Sequence, residues 1–509
     1  MCGIFFSNFS DNNHFENFQK LSHRGPDSTT IKIQDNYFYG FHRLAIIHPN
    51  SDYNQPFTKN NIVLLCNGEI YNYKLLLRKY FVNLTEEHLK SDCEIILYLY
   101  FLFDRNFKRV VEELDGEFAI ILHDKDKNVV YSARDFMGIR PLYYIFNEKV
   151  LTIASEIKAI SQDNVKHILP RKIYSFNLLE KNHESYLYWD ASDNLGCINF
   201  RRDIILDTIY NYLHRSVKLR VHSDRPIGCL LSGGLDSSII VSLVSKLYPI
   251  EKIQCFTIGS ENSTDVKYAK IVANYLKVPL TIVPFDYQQG FNEIENVVKC
   301  LETYDITTIR ASTPQYLLAK YISKNTDIKV ILSGEGSDEL FSGYLYSRLA
   351  PSEEELYKDG VRLLNELYLF DCLRTDRTMA YWGLEVRVPF LNKKLVDYVL
   401  CLDPKYRMCN EYPEKMLLRD VALKNELLPE EIILRRKEAF SDAVSDDITK
   451  DSWINYIKQK CLDLSKVEKD YYKELFDKHY PNKNDVFSHY WLPNWTNEKD
   501  PSATLLSIY

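Results

Sequence analysis

Residues 226–240, PIGCLLSGGLDSSII, constrain the fold of this chain more than any other stretch. A short apolar run, Pro226–Leu231, meets a turn of Ser, Gly and Asp, and a second apolar run, Ser237–Leu247, follows at helical spacing. That order reads as strand, tight loop, helix. It recurs at Ile253–Ile258 with Val266–Leu276, at Leu280–Phe285 with a further helical stretch, and ends on the strand Val330–Leu332. Strands that alternate with helices indicate a parallel α/β sheet. Ligands of such sheets sit beyond the carboxyl ends of the strands, so Ser232, Gly259 and Ser333 are expected to converge on one crevice.

The first 190 residues follow a different pattern. Phe38–Ile47, Ile62–Cys66, Glu117–His123, Val129–Ala133 and Leu151–Ala154 are short, apolar and bounded by polar or turn residues, which predicts an α+β domain built on antiparallel sheets. A polar stretch, Asp190–Gly196, and a helical pattern over Asp203–Leu219 mark the boundary. The predicted domains are therefore residues 1–190 and residues 200–509, the second turning mainly helical from about Glu353 and ending in a polar tail. A chain of 509 residues is too long for one ordinary core, since domains hold about 100–200 residues.

Charge and cysteine usage exclude several classes. With 63 basic against 70 acidic residues, a net charge of −7 and no long Lys/Arg run, nucleic acid is not an expected partner. No stretch reaches ~18 uninterrupted apolar residues and the N-terminus has no basic leader, so the expectation is a soluble cytoplasmic protein without a membrane partner. The 11 cysteines have no CxxC pair and no nearby HxxxH, which argues against a disulfide framework and a zinc site. Ten of them read as small buried hydrophobes.

Cys2 is the exception. Removal of the initiator Met would leave one residue carrying both a thiol and an α-amine, and an amine titrating near ~7.7–8.0 can take the thiol proton without a histidine. On position alone, a buried cysteine without chemistry is the commoner reading. LSHRGPDS at 21–28, HRLAIIHP at 42–49, CNGEIYNY at 66–73, KSDCEIIL at 90–97 and ARDFMGIRPLYY at 133–144 reverse it. In order and wording these segments resemble the glutaminase domain of class II glutamine amidotransferases, an N-terminal-nucleophile fold of antiparallel sheets between helices. The resemblance implies that Cys2 attacks the carboxamide of glutamine while Asn67 and Gly68 stabilise the oxyanion. It also implies that Arg43 pairs with the substrate carboxylate, and that Glu69 and Asp92 hold its ammonium. Arg24, Asp27 and Asp135 read instead as charges that fix loops by hydrogen bonding.

The loop at 231–238 suits a phosphate: its glycines admit backbone N–H groups, its serines donate, and a helix N-terminus follows. No GxxxxGK[ST] motif is present, so lysine-assisted γ-phosphoryl transfer is unsupported. SGGLDSS resembles the pyrophosphate loop of ATP pyrophosphatases, which attack the α-phosphate and release pyrophosphate. This implies that ATP contacts Leu231, Ser232, Gly233, Gly234, Leu235, Asp236, Ser237 and Ser238, with Ser333 and Gly334 nearby, and that Leu231 and Ile258 meet the adenosine. Departing pyrophosphate calls for Mg2+, for which Asp236 is one candidate ligand and Asp338, in SGEGSDELFSGY at 333–344, the other. Glu335 of the same segment would position the acyl-adenylate or handle a proton.

TYDITTIRASTPQY at 303–316, DRTMAYWGLEVRVPFLN at 376–392 and LRRKEAFSDAV at 434–444 resemble the glutamine-dependent asparagine synthetases, and the combined resemblance runs from residue 2 to about residue 445. It implies a ligase that takes ammonia from glutamine, adenylates the aspartate side-chain carboxylate with ATP and Mg2+, and yields L-asparagine, AMP, pyrophosphate and glutamate. Thr307 and Arg310 would contact the aspartyl-adenylate, Lys437 would stabilise charge on the α-phosphate, and a homodimer is expected. One rival is a related amidotransferase or cyclising synthetase acting on another carboxylate, and another is an idle binding protein on the same scaffold. Cys2 and the TTIRAST segment count against the first, and the intact Cys2, Asn67, Asp236, Glu335 and Lys437 against the second. The chain departs from the family pattern at His48, where aspartate is usual, at Phe136–Met137, and at Ser342, where glycine is usual.

Overall fold

The structure is a computed structural model and describes residues 1–10, 12–48, 53–148, 150–190, 198–408, 413–438, 444–445 and 452–497. The chain forms two compact units. One is Met1–Asp190 with Met379–Glu385 and Tyr480–Ser488; the other is Ala191–Thr378, Val386–His479 and His489–Tyr509.

The first unit contains two six-stranded sheets. In the first sheet Gly3–Ser7 lies between Leu151–Ala154 and Tyr37–Arg43, antiparallel to both, with Gly3 opposite His42 and Phe5 opposite Ala154. In the second, Ile62–Ile70 pairs antiparallel with Gly116–Asp124 along its whole length. The sequence of these two strands explains the layering. Val63, Leu65, Ala119 and Ile121 point to one face and pack with Ile4, Phe6, Tyr39 and Phe41 of the first sheet. Their neighbours Ile62, Leu64, Cys66, Ile120 and Leu122 point to the other face and pack under the helices Ile95–Leu102 and Phe107–Glu113. A strand covered on both faces must be apolar throughout, which is why IVLLC and FAIIL show no polar alternation. Phe18 of the helix Asn12–Gln19 covers the outer face of the first sheet, against Phe5 and Phe38. The result is antiparallel sheets between helices. The segment Phe38–Ile47 is shorter as a strand than its composition suggests: pairing stops at Arg43, because the chain turns there and the Arg43 guanidinium bonds the carbonyls of Ile47 and His48.

The second unit is built on a five-stranded sheet in the order Leu280–Pro284, Gln254–Gly259, Ile227–Leu230, Val330–Leu332 and Glu385–Arg387. The first four are parallel, with Cys229 opposite both Cys255 and Leu332. The helices Leu235–Leu247 and Thr264–Leu276 follow the strands they were expected to follow, and Ile306–Asn325 precedes Val330–Leu332. Glu385–Arg387 falls in a region that reads as helical; three residues carry no period from which a strand can be recognised. The rest of this part is helical, over Glu353–Glu366, Asp371–Ala380, Lys393–Cys401, Met416–Lys424, Trp453–Asp463 and Glu468–His479. Among the described residues no helix is long and apolar enough to cross a membrane.

Candidate active sites

Cys2 enters the first strand of the first unit, and its surroundings hold it by the backbone. Its nitrogen donates to Asn67 Oδ1 at 2.7 Å, its carbonyl accepts from Arg24 Nε at 3.0 Å, and its Sγ lies 3.9 Å from the Leu44 carbonyl. Arg24 is fixed in turn by Glu156 at 2.7 Å. Burial pushes the Cys2 thiol up, with the neighbouring amine opposing it. Burial also pulls the Met1 ammonium down, although Glu385 stands 3.7 Å away. His42 is no base for this thiol: its ring is bonded to Thr29 at 2.8 Å and the Phe18 carbonyl at 3.1 Å, and burial pushes it down to about 4.

Asn67 is fully buried at mid-strand, and with Oδ1 committed to Cys2 its Nδ2 has no hydrogen-bond partner among the described residues. An unsatisfied buried donor costs about 1–3 kcal/mol, so it is rarely left idle. Gly68 follows with φ +150°, and a Cβ there would lie 2.0 Å from the Glu117 carbonyl, so only glycine fits beside the donor. Asp92 accepts from the Ile70 N–H at 2.5 Å and from Ser91 Oγ at 2.8 Å, while burial raises its carboxyl. Arg43 also donates to Asn54 at 3.2 Å. Glu69 is half-buried on the strand that carries Asn67 and Gly68. The loop-fixing charges make the expected kind of contact: Asp27 accepts from the Ala45 N–H at 2.8 Å, and Asp135 accepts from the N–H groups of Met137, Ile139 and Arg140 at 2.9–3.2 Å.

The second unit contains a cavity of about 280 Å³ at the carboxyl ends of its strands. Leu231, Ser232, Gly234, Leu235, Asp236, Ser237, Ile258, Thr307, Arg310, Ser333, Gly334, Glu335, Asp338 and Lys437 all line it. Two expected nucleotide contacts do not: Gly233 lies against the backbone of Tyr268 and Ala269, and Ser238 is fully buried as the fourth residue of the helix. Gly259 is also off the cavity, its place taken by Ile258. The serine loop closes on itself, with Ser232 Oγ 3.1 Å from Ser237 Oγ and 3.3 Å from the Gly234 N–H. Gly234, the residue before the helix, offers its first turn no side-chain cap.

The charged groups of the cavity are paired. Lys415 Nζ lies 2.6 Å from Asp236 Oδ2 and 2.7 Å from Asp338 Oδ1, and Lys437 Nζ lies 2.6 Å from Asp338 Oδ2. Burial alone would raise the Asp338 carboxyl, but the two lysines hold it well below the usual carboxylate range. Burial likewise opposes the Lys437 charge, and Asp338 and Asp236 more than restore it. Glu335 pairs with Arg374 at 2.7 Å, yet burial keeps its carboxyl raised. Asp265 is pushed up to about 6 by burial despite Arg435 at 3.0 Å. Thr307 Oγ1 donates to Asp305, the cap of the helix Ile306–Asn325, at 2.8 Å. Arg310 is 2% exposed and engages Glu468 through two contacts, 2.8 and 2.5 Å. Lys415, Arg374 and Glu468 were not singled out from sequence; each earns its place only by pairing across 39 to 179 residues.

Comparison with known proteins bears on both halves. Residues 1–186 match the glutamine amidotransferase domain family, and residues 208–362 and 348–506 match the asparagine synthase family. The chain is 42% identical over 534 residues to a probable glutamine-hydrolyzing asparagine synthetase of Acanthamoeba polyphaga mimivirus, covering 96% of each. It is 38% identical to the glutamine-hydrolyzing asparagine synthetases of Rattus norvegicus and Homo sapiens, covering 96% of this chain and 95% of each of those.

Proposed function

Because the chain belongs to the glutamine-hydrolysing asparagine synthetases, its activity is ATP-dependent asparagine synthesis with glutamine as nitrogen donor, and we propose the following division of labour among its residues. Residues 1–190 carry the glutaminase and residues 200–509 the synthetase. Loss of Met1 converts the Cys2 nitrogen from an amide to an amine, which keeps Asn67 Oδ1 as its neighbour and accepts the thiol proton. The thiolate attacks the glutamine carboxamide carbon, Asn67 Nδ2 and the Gly68 N–H receive the oxyanion, ammonia leaves, and water hydrolyses the thioester to glutamate. Arg43 takes the substrate carboxylate, and Glu69 with Asp92 its ammonium. The observation that carries this half is the Asn67 amide, whose acceptor is spent on Cys2 while its donor is unspent and buried.

At the second site Leu231 and Ile258 border the adenine end, while the loop from Ser232 to Ser237, with Ser333 and Gly334, receives the phosphates. The aspartate β-carboxylate attacks the α-phosphorus and pyrophosphate leaves, Lys437 facing the charge that builds on the α-phosphate. Thr307 and Arg310 contact the aspartyl-adenylate. Ammonia then displaces AMP, and Glu335, whose raised carboxyl suits proton transfer, accepts a proton from the attacking nitrogen. Asp236 and Asp338 fit Mg2+: they are hard oxygen donors near enough for one ammonium to touch both, and a bound ion would offset charge on the departing pyrophosphate. A homodimer in the cytoplasm completes the reading.

The test is to incubate the purified protein with aspartate, ATP, Mg2+ and glutamine, measure asparagine and pyrophosphate, and repeat with Cys2→Ala supplied with glutamine or ammonium. The expected result is both products from wild type, and from the variant only with ammonium. A variant that still used glutamine would remove Cys2 from the mechanism.

A further inference from the structure

We propose that Lys415 holds, between Asp236 and Asp338, the place that a divalent cation takes, so that the cation enters this site together with nucleotide phosphate and not ahead of it. The inference rests on the reading of those two carboxylates as cation ligands. The ammonium group touches Asp236 Oδ2 at 2.6 Å, Asp338 Oδ1 at 2.7 Å and Ser337 Oγ at 3.4 Å. Ser337 Oγ in turn donates to the other Asp236 oxygen at 2.8 Å, and Lys437 holds the other Asp338 oxygen at 2.6 Å.

Charge balance decides what such a cluster can bind. Two carboxylates face two ammonium groups, so these four contacting groups carry no net charge with which to draw in a free divalent ion. An incoming Mg2+ would also have to shed water while displacing an ammonium already at contact distance. Nucleotide polyphosphate changes the balance, because its oxygens give both lysines new anionic partners as the carboxylates receive the ion it carries. A lysine suits this exchange: a compact charge on a flexible four-carbon stem can swing between partners without a fixed bonding plane.

Two local features mark the position as built for it. Lys415 has a left-handed backbone, φ +59° and ψ +38°, at the start of the helix Met416–Lys424, a conformation unfavourable for an L-residue and maintained only where the surroundings demand it. Finally, a Cβ at Gly343 would lie 1.9 Å from Lys415 Cε and 2.2 Å from Asp338 Oδ1, so the missing side chain is the space that the lysine stem uses.

The experiment titrates Mn2+ into the full chain without nucleotide and reads free ion by its electron paramagnetic resonance. Lys415→Gln and Lys415→Met are each expected to take up one ion with Kd at least about tenfold lower than wild type, and Lys415→Arg to match wild type. Addition of ATP should give wild type a tightly held ion. Equal Mn2+ affinity in wild type and the neutral variants, or no gain in wild type on adding ATP, overturns the inference. Adding Asp338→Asn to Lys415→Gln should abolish the ion; a double variant that keeps it would show that the carboxylates are not the ligands, a separate failure from that of the lysine's role. Circular dichroism identifies which neutral variant folds, and either one suffices.

Discussion

Glu468→Gln removes one charge and almost no volume, and its consequence can be worked out from the pair it breaks. Glu468 faces Arg310 through contacts of 2.8 and 2.5 Å, with the side chains 7% and 2% exposed. Tyr472 donates to the same carboxylate at 2.9 Å, and Trp453 Nε1 donates to the Arg310 carbonyl at 3.0 Å. With so little of it exposed, the guanidinium depends on that carboxylate, and breaking a buried pair on one side costs about 3–5 kcal/mol. For a unit of roughly 300 residues, with unfolding entropy near 2.1 cal/mol/K per residue, that is a fall of about 5–8 °C in its Tm. Thermal unfolding followed by tryptophan fluorescence measures it. Arg310→Met combined with Glu468→Met replaces the pair by apolar groups of similar volume and should return to within about 1 kcal/mol of wild type. The double variant then separates structure from function: it should fold and yet lose asparagine synthesis if Arg310 also meets the aspartyl-adenylate. A loss below about 1 kcal/mol for Glu468→Gln would refute the reasoning, because Arg310 would then be satisfied without its partner.

Asn67→Ala removes the uncommitted donor beside Cys2 and should lower glutamine-dependent kcat by about 10²–10³-fold, with ammonium-dependent synthesis intact; equal loss in both assays would contradict the oxyanion role. Ser342 has φ +54° and a buried hydroxyl with no hydrogen-bond partner among the described residues, so Ser342→Gly should stabilise the protein by about 1 kcal/mol after glycine's greater unfolded-state entropy is deducted, read as a higher urea midpoint. The Glu335 carboxyl is raised by burial and works as a base only when ionised, so ammonium-dependent turnover, corrected for free ammonia, should fall as pH drops through a value above 4.5. Arg374 opposes that rise from 2.7 Å, and Arg374→Gln should move this acid limb to higher pH; a limb that stays or moves lower would exclude Glu335 as the titrating group.

What the sequence made legible were the parts whose chemistry is local. The loop around Asp236 is a strand, a turn and a helix start within fifteen residues, and each piece has its own spacing signal, so both the parallel sheet and the crevice residues could be placed. Asn67 and Gly68 could be assigned together because they are adjacent. Lys415 could not, because in EYPEKMLLRD it is one more surface-like cation until Asp236, 179 residues earlier, is folded against it. Glu468 opens an ordinary polar helix and has no signal beyond its charge. Gly233 and Ser238, placed at the ligand by motif membership, do not line the cavity: the first faces the next helix and the second lies in the core. Sequence motifs mark which backbone shape recurs, whereas alternate residues of that backbone point in different directions.

The two sites keep polar groups ready by opposite means, and the difference predicts how each responds to its surroundings. Around Cys2 the positions are fixed by hydrogen bonds, and one neutral donor, Asn67 Nδ2, has no acceptor among the described residues; its desolvation is the cost of preorganisation, and a substrate gains by meeting it. In the second cavity each of Asp236, Asp338, Glu335 and Arg310 already has an opposite charge in contact, so a substrate binds by exchanging partners and gains only the difference between two pairings. Differences of that kind depend on the ionic partners present in solution, whereas a buried neutral donor does not. Salt should therefore weaken ATP binding at the second cavity while leaving the ratio of wild-type to Asn67→Ala kcat in glutamine hydrolysis unchanged.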